Sequence, residues 1–412
     1  MVCAFSEIDA GCSHSEDWDV PAAAYVHIPF CRRRCFYCDF PVSVVGDRLR
    51  GETSLGIQQY VGWLCQEIKA TPPQGLPLQT IFFGGGTPSL LASAQVHQIV
   101  KTLTQHFGLA ESPEISMEMD PGTFTLAQAQ GYRQGGVNRV SLGSQAFQDD
   151  LLSDCGRTHR VKDIYDAVDV LRQAGYENLS LDLISGLPNQ TLEQWEASLE
   201  AAIALSPQHI SAYDLVIEPG TVFGKRFEPG EGPLPTDDLT AQMYRVASQT
   251  LQVAGYAHYE ISNYAQPGFE CRHNSVYWRN GAYYGFGMGA ASYVQGQRFS
   301  RPRSRETYRQ WLDQYIEQAG RVEQTTLSVE DQLFETFMVG LRRTQGVNLK
   351  DLAQRFGTVW VDPLWDALQP YLDEGWVLRS EGSLRLSDPE GFLFSNTILV
   401  ALWEALSAQR LG

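Results

Sequence analysis

The chain has 412 residues, 43% of them hydrophobic and 19% charged, enough for one large domain and one or two small ones. Its 31 Lys plus Arg stand against 48 Asp plus Glu, a formal charge of −17, which argues against broad binding to nucleic acid. Eight cysteines in a chain this size, three of them clustered, do not make the disulfide framework of a small secreted domain.

The first segment, Met1 to Asp19, carries Glu7, Asp9, Glu16, Asp17 and Asp19 but no basic start and no apolar run; it does not read as a signal peptide. No stretch reaches the roughly 18 apolar residues of a membrane span, since Phe392–Leu406 is broken by Ser395, Asn396 and Glu404. From Ala24 onward, six short runs rich in β-branched or aromatic residues alternate with helical patterns: Ala24–Ile28, Thr80–Phe83, Glu114–Met119, Arg139–Leu142, Leu179–Ile184 and His209–Leu215. Between them, Ile57, Tyr60, Val61, Leu64, Cys65 and Ile68 share one helical face, and Val161, Ile164, Val168 and Leu171 share another. Cys65 on that face is core rather than ligand. Thr191-Leu-Glu-Gln194 is a capping box opening a further helix. The alternation predicts an α/β class with parallel strands and right-handed crossovers. Six units make either a partial (β/α)6 barrel or an open doubly wound sheet. Both bind ligands at the carboxyl ends of strands.

After Pro219 the pattern changes. Gly220–Pro235 reads as a loop, Leu239–Ala254 as a helix, Tyr256–Ile261 as a strand, and Asn263–Arg305 as irregular, aromatic and glycine-rich. Helices Ser328–Arg342, Leu349–Phe356 and Pro363–Glu374, then strands Trp376–Arg379 and Leu384–Leu386, resemble a winged helix. Residues 325–390 hold eleven acidic against six basic side chains, so this unit is expected to cap or bind a partner rather than read DNA. The expected division is an N-terminal tail 1–21, a core barrel 22–220, a barrel extension 221–325 and a C-terminal module 326–412.

The chemistry concentrates at strand ends. Cys31-Arg-Arg-Arg-Cys35-Phe-Tyr-Cys38 follows the first strand. Three thiolates are one short of the four that usually hold a [4Fe–4S] cube, so one iron would stay open to a small molecule, as a catalytic zinc keeps an open position. Zinc is the alternative occupant, and would want a fourth Cys or His nearby; His27 is close but out of phase. Arg32, Arg33 and Arg34 favour an anionic cluster. Thiolate-bound iron wants a reducing compartment, so the cytosol is expected. Gly84-Gly-Gly-Thr87-Pro88 ends the second strand, where adjacent glycines let a backbone approach a ligand closely.

Together, Tyr25-x-His27-Ile-Pro-Phe30, the cysteine run and Gly-Gly-Gly-Thr-Pro resemble the radical S-adenosylmethionine enzymes, above all the branch of the oxygen-independent coproporphyrinogen III oxidases. The resemblance implies a partial (β/α)6 TIM-like barrel, a [4Fe–4S] cluster on Cys31, Cys35 and Cys38, and S-adenosylmethionine on the open iron. It implies that Gly85, Gly86 and Thr87 meet the methionine amino group. Glu118, Gln145, Arg157 and Asp182 would ring the cofactor, with Arg157 suited to a carboxylate, and Tyr25 and Tyr37 would flank it. Two features depart from the oxidases. Phe40 stands where they carry a fourth cysteine, and the arm before the first strand is shorter.

Further on, His273-Asn-x-x-Tyr277-Trp278 resembles a motif of the haem chaperone family within the same branch, and that resemblance runs from about Ala22 to the final helix. Histidine is a common axial haem ligand and aromatic rings pack a porphyrin face. The plainer reading is a histidine and an aromatic pair closing the open barrel edge. The resemblance implies haem on His273 and haem-accepting proteins, respiratory ones among them, as partners. Arg298, Arg301, Arg303 and Arg305 would meet propionates or a membrane surface, or form a solvated loop, the reading preferred here. The alternative activity is oxidative decarboxylation of coproporphyrinogen III. Nothing in the sequence speaks to oligomeric state.

Overall fold

All six expected runs become strands, and each pairs in parallel with the next. The computed structural model describes residues 20–48, 50–322, 327–361, 364–380 and 382–409; the reading of Met1–Asp19, with Cys3 and Cys12, lies outside them. The strands are β1 (Ala23–Ile28), β2 (Leu78–Gly85), β3 (Leu109–Met119), β4 (Arg139–Gln145), β5 (Asn178–Ser185) and β6 (His209–Asp214). Three more, β7 (Ala257–Glu260), β8 (Asn263–Ala265) and β9 (Tyr284–Phe286), complete a nine-stranded sheet in the order β9-β1-β2-β3-β4-β5-β6-β8-β7. Only β8 runs antiparallel to its neighbours β6 and β7.

The period of two along each strand separates two different faces. Val26, Ile81, Phe83, Met117, Val140, Leu181 and Ile210 are buried in the main hydrophobic core, each worth roughly 1.5–3 kcal/mol on burial. The alternate residues are polar: Thr80 pairs with Glu114, Ser116 with Arg139, Glu118 with Ser141, and Asp182 with Ser211. Parallel strands buried on both faces usually read as continuous apolar runs. Here the inner face is polar, which marks an interior built to hold something other than packed aliphatics.

Helices cover the apolar face. In α1 (Leu55–Ala70), Ser54 accepts from the Ile57 N–H, and Ile57, Tyr60, Val61, Leu64, Cys65 and Ile68 are buried, the face expected from spacing. The capping box Thr191/Gln194 opens α5 (Leu192–Ala204), after α2 (Ser93–Phe107), α3 (Leu126–Gln134) and α4 (Val161–Gln173). Within 220–235, expected as a loop, Val222–Arg226 form a short helix capped by Thr221, and helix α6 (Asp237–Val253) follows.

Two further expectations are overturned. Asn263–Arg305 is not irregular: it holds β8, a seven-residue helix α7 (Arg272–Trp278), β9, and a hairpin of Ala291–Val294 with Gln297–Ser300. These elements are too short for periodicity to show, and β9 is held by pairing with β1 across more than 250 positions of sequence. Nor is Arg301 solvated. It is 2% exposed and paired with Glu67 of α1.

The C-terminal module has its own core, including Leu333, Phe337, Leu368, Leu384 and Leu402. Helices Val329–Gly340, Leu349–Phe356 and Leu364–Asp373 precede the antiparallel pair Val377–Ser380 and Ser383–Leu386, and helix Ser395–Gln409 ends the described chain. Asp388 accepts from Ser248 and Gln252 of α6, and Glu390 pairs with Arg245. No helix among the described residues is long and apolar enough to cross a membrane.

Candidate functional site

The carboxyl ends of β1 to β5 bring most of the expected site residues to one rim. Cys31, Cys35 and Cys38 lie as free, half-buried thiols on the loop leaving β1. Their loop is anchored from behind, since Phe36 N–H donates to the Cys155 carbonyl at 3.0 Å. Arg157 donates to the Cys35 sulfur at 3.4 Å, to Asp120 Oδ1 at 2.6 Å and to the Gly143 carbonyl at 2.8 Å. Asp120 in turn accepts from Thr87 Oγ1 at 2.9 Å. Thus Thr87, Asp120, Arg157 and Cys35 form one connected set beneath the loop. Asp120, in Met-Asp-Pro at the end of β3, is the member that the sequence places at a strand end without giving it a role.

The glycines are required by space. A Cβ on Gly86 would lie 2.7 Å from the Phe30 carbonyl oxygen, and one on Gly85, at φ 110°, would lie 2.3 Å from the His27 ring. Gly85 N–H donates to Glu118 Oε2 at 2.9 Å. Gln145 sits at the end of β4 with φ 66°, a left-handed strain for a non-glycine residue that recurs at binding sites. Tyr25 OH bonds His27 Nδ1 at 3.0 Å, and His27 Nε2 meets the Pro41 carbonyl at 3.0 Å. Tyr37 packs near Phe223. Phe40 is 59% exposed, its backbone carbonyl accepts from Arg34, and its backbone also hydrogen-bonds the Cys38 thiol.

Burial lifts the Glu118 carboxyl to about 8, opposed by the Gly85 N–H and helped by Asp182 and Asp120. Burial also raises Asp182, against the hydroxyls of Ser211 and Ser141. Two carboxyl groups thus face the interior, and Arg139 offsets the charge of Asp182 but is no part of what acts on Glu118. Burial pushes the Cys31 thiol up to about 12, so its thiolate needs a positive centre to exist at neutral pH.

Three soft sulfur donors on one loop suit iron–sulfur ligation. A cube gives each thiolate its own iron, so the sulfurs need not converge on one point. Accordingly, no group of three His, Cys, Asp or Glu among the described residues is arranged to hold a single metal ion. A zinc site drawing on His27 would have to displace one partner of its ring, Tyr25 at Nδ1 or the Pro41 carbonyl at Nε2.

His273 stands elsewhere. It lies on α7, whose first N–H groups, those of Arg272 and His273, donate to Glu114 on β3 at 3.0 Å each. Its ring is fully buried, with Nδ1 on Thr80 at 2.8 Å, Nε2 on Tyr277 OH at 2.7 Å, and Phe82 against its face. Burial, then Arg139, pushes it down to about 3, so the ring is neutral. As a haem ligand it would have to give up Thr80 at Nδ1 or Tyr277 at Nε2. Thr80 and Gly85 lie five positions apart on β2, roughly 17 Å at ~3.3 Å per residue, so His273 and the cysteine loop occupy opposite ends of the interior. Between them runs a chain of hydrogen bonds: Asp182 from Ser180, Ser180 with His209 at 2.8 Å, and His209 with Tyr259 at 2.8 Å. Asp182 was expected at the cofactor, whereas Ser180, His209 and Tyr259 escaped the sequence reading; the signal for Ser180 and His209 was polarity at alternate positions of strands that are otherwise apolar.

This barrel and its three-cysteine rim define a radical S-adenosylmethionine protein: residues 25–202 match the radical SAM superfamily, and residues 327–394 match the HemN C-terminal domain. The chain is 47% identical to the heme chaperone HemW of Synechocystis over 94% of its length and 97% of that relative. It is 35% identical to HemW of Escherichia coli over 92% and 97%, and 34% identical to that of Bacillus subtilis over 92% and 98%. It belongs to the HemW haem chaperone family. Among solved structures, the coproporphyrinogen III oxidase HemN of Escherichia coli superposes with a TM-score of 0.77 at 23% identity, covering 94% of this chain and 91% of that one, a likeness of fold.

Proposed function

We propose that this protein binds haem and passes it to haem-accepting proteins, carrying a [4Fe–4S] cluster on Cys31, Cys35 and Cys38 and S-adenosylmethionine on the open iron. The observation that carries the reading is the match along nearly the whole chain to relatives named as haem chaperones. In this reading the barrel 22–220 holds cluster and cofactor, the extension 221–325 presents His273, the module 326–412 faces partners, and the cytosol supplies the reducing conditions. When bound, the cluster supplies an electron and an open coordination position. The chain's own groups do the rest. Gly85 and Gly86 clear space for the methionine end, Thr87 and Arg157 present donors, and Tyr25, Tyr37 and Gln145 bound the ligand. Glu118 and Asp182 await positive charge.

Glu118 makes that last role measurable. Its carboxyl is near 8 without a ligand, and a cationic sulfonium or ammonium nearby would drive it to ionise. Binding then releases a proton below about pH 8, and affinity for S-adenosylmethionine falls as pH drops from about 8 towards the ordinary carboxylate range, by up to about tenfold per unit. Calorimetry in two buffers of different ionisation enthalpy reads the proton count, and Glu118→Gln should abolish the pH dependence. Equal heats in both buffers would remove this role.

The haem reading is tested by titrating haem into the anaerobically reconstituted protein. His273→Ala should weaken binding by about tenfold or more, ~1.4 kcal/mol, and leave cluster absorbance intact. Unchanged affinity would count against His273 as the ligand. Sustained conversion of coproporphyrinogen III to protoporphyrinogen by the reconstituted protein, with cofactor and reductant, would overturn the chaperone reading in favour of an oxidase.

A further inference from the structure

A cavity of about 820 Å³ opens in the gap between the two edges of the sheet, at the amino ends of β1 and β2, away from the cysteine loop. Ala22 and Thr80 form one wall, and Arg272, Trp278 and Arg279 on and just after α7 form another. Arg343 closes it from the C-terminal module, where its backbone bridges Glu260. The volume falls within the ~300–1,000 Å³ of small-molecule sites. Its character differs from that of the cofactor rim, which presents carboxyl groups. Here three arginines face two carboxyl side chains, Glu260 and Glu270, and burial lifts Glu260 to about 7. Burial, then the exposed Arg279, presses Arg343 down to about 10, so a half-buried guanidinium lies within reach of a second cation at the mouth. Such a pair is stabilised by an anion. Trp278 adds a broad aromatic surface, and its Nε1–H is buried without a hydrogen-bond partner among the described residues. Thr80, part of the wall, is also the partner of His273 Nδ1, so the imidazole lies one side chain behind the cavity and reaches it through Nδ1 when Thr80 turns aside.

We infer that this cavity is the haem pocket, with the porphyrin plane against Trp278 and the propionates held by Arg343 and Arg279. The inference rests on the haem reading above and adds the place and the contacts. It implies that haem enters through the gap between the sheet edges, at the opposite end of the interior from the cluster, where a partner would not need to approach the cysteine loop. Tyr259, which also lines the cavity, ends the hydrogen-bonded chain from Asp182 described above.

The test uses the full-length, cluster-reconstituted protein titrated with haem and, separately, with haem dimethyl ester, which lacks both carboxylates. Arg343→Gln should weaken haem binding at least tenfold. The ester, which loses both propionate contacts, should bind the unsubstituted protein more weakly than haem binds the variant, and should lose nothing further on Arg343→Gln. Ala22→Phe, which fills space without touching charge, should weaken both ligands. Cluster absorbance and the thermal midpoint report that each variant is folded. If both variants bind haem normally, or if the ester is as sensitive to Arg343→Gln as haem is, the pocket assignment falls while the haem reading stands. If the unsubstituted protein fails to bind haem at all, the reading itself falls.

Discussion

Replacing Cys31, Cys35 or Cys38 singly by alanine is expected to lower bound iron from about four per chain to near zero after anaerobic reconstitution, with loss of the cluster's visible absorbance. A cube left with two thiolates has too few protein ligands to hold it in this loop. The same variants should stay folded. All three side chains are half-buried on a loop and none belongs to the main core, so the change in stability should remain within about 1 kcal/mol. Cys65, packed on the buried face of α1 with its thiol accepting from Thr102, is the control; Cys65→Ser should keep full iron. Full iron retention in Cys35→Ala would remove the proposed ligand set, and equal loss in Cys65→Ser would point to general instability instead.

The largest effect on folding is expected at Arg301. Arg301 Nε donates to Glu67 Oε1 at 2.7 Å and Arg301 Nη1 to Ser292 Oγ at 2.6 Å. Glu67 Oε2 accepts from the Gly287 N–H at 2.8 Å and from Tyr308 OH. Both charged side chains have no exposure to solvent. The network ties α1 to β9, to the following hairpin and to helix Arg305–Glu317, and so holds the edge strand that lengthens the barrel beyond β1. Arg301→Met leaves the Glu67 carboxylate buried without its cation, which costs roughly 3–5 kcal/mol, read as a shift of the urea midpoint. The double variant Arg301→Met with Glu67→Gln should recover a large part of the loss, because the stranded charge goes with it. A single variant as stable as the parent, or a double variant additive in its losses, would show that the pair does not act as a unit.

The arrangement around Arg301 shows where local pattern stops being informative. Arg298, Arg301, Arg303 and Arg305 form a run of charge that, read locally, belongs in solvent. Three of the four do remain at least partly accessible, and Arg303 meets Asp39 at the surface. Arg301 alone is taken inside, because a carboxylate on α1, 234 residues away in the chain, waits there. Position in a three-dimensional pair, not any property of the run, selected it. The same holds for His273. Its motif was visible, yet its burial depends on Thr80 from β2 and on Glu114 from β3 capping α7. Short elements between 263 and 305 were missed for a related reason: strands of three residues and a helix of seven carry too few positions for a period to emerge, and tertiary pairing alone holds them.

What the sequence settled by itself was whatever is repeated or clustered. The alternation of apolar runs and helical faces determined the α/β class and located all six parallel strands, since burial of one face demands that period. The three-cysteine spacing and the triple glycine marked the rim, because close ligation and close backbone approach restrict residue type at adjacent positions. What only the tertiary structure decided was how distant groups meet. It linked Thr87, Asp120, Arg157 and Cys35 under one loop, and it lined the interior with a polar ladder from Asp182 to Tyr259. It also placed His273 behind a cation-rich cavity at the far end of the interior. Each of these depends on strand register and on the closing of a sheet over some 260 residues, and neither leaves a trace in local spacing.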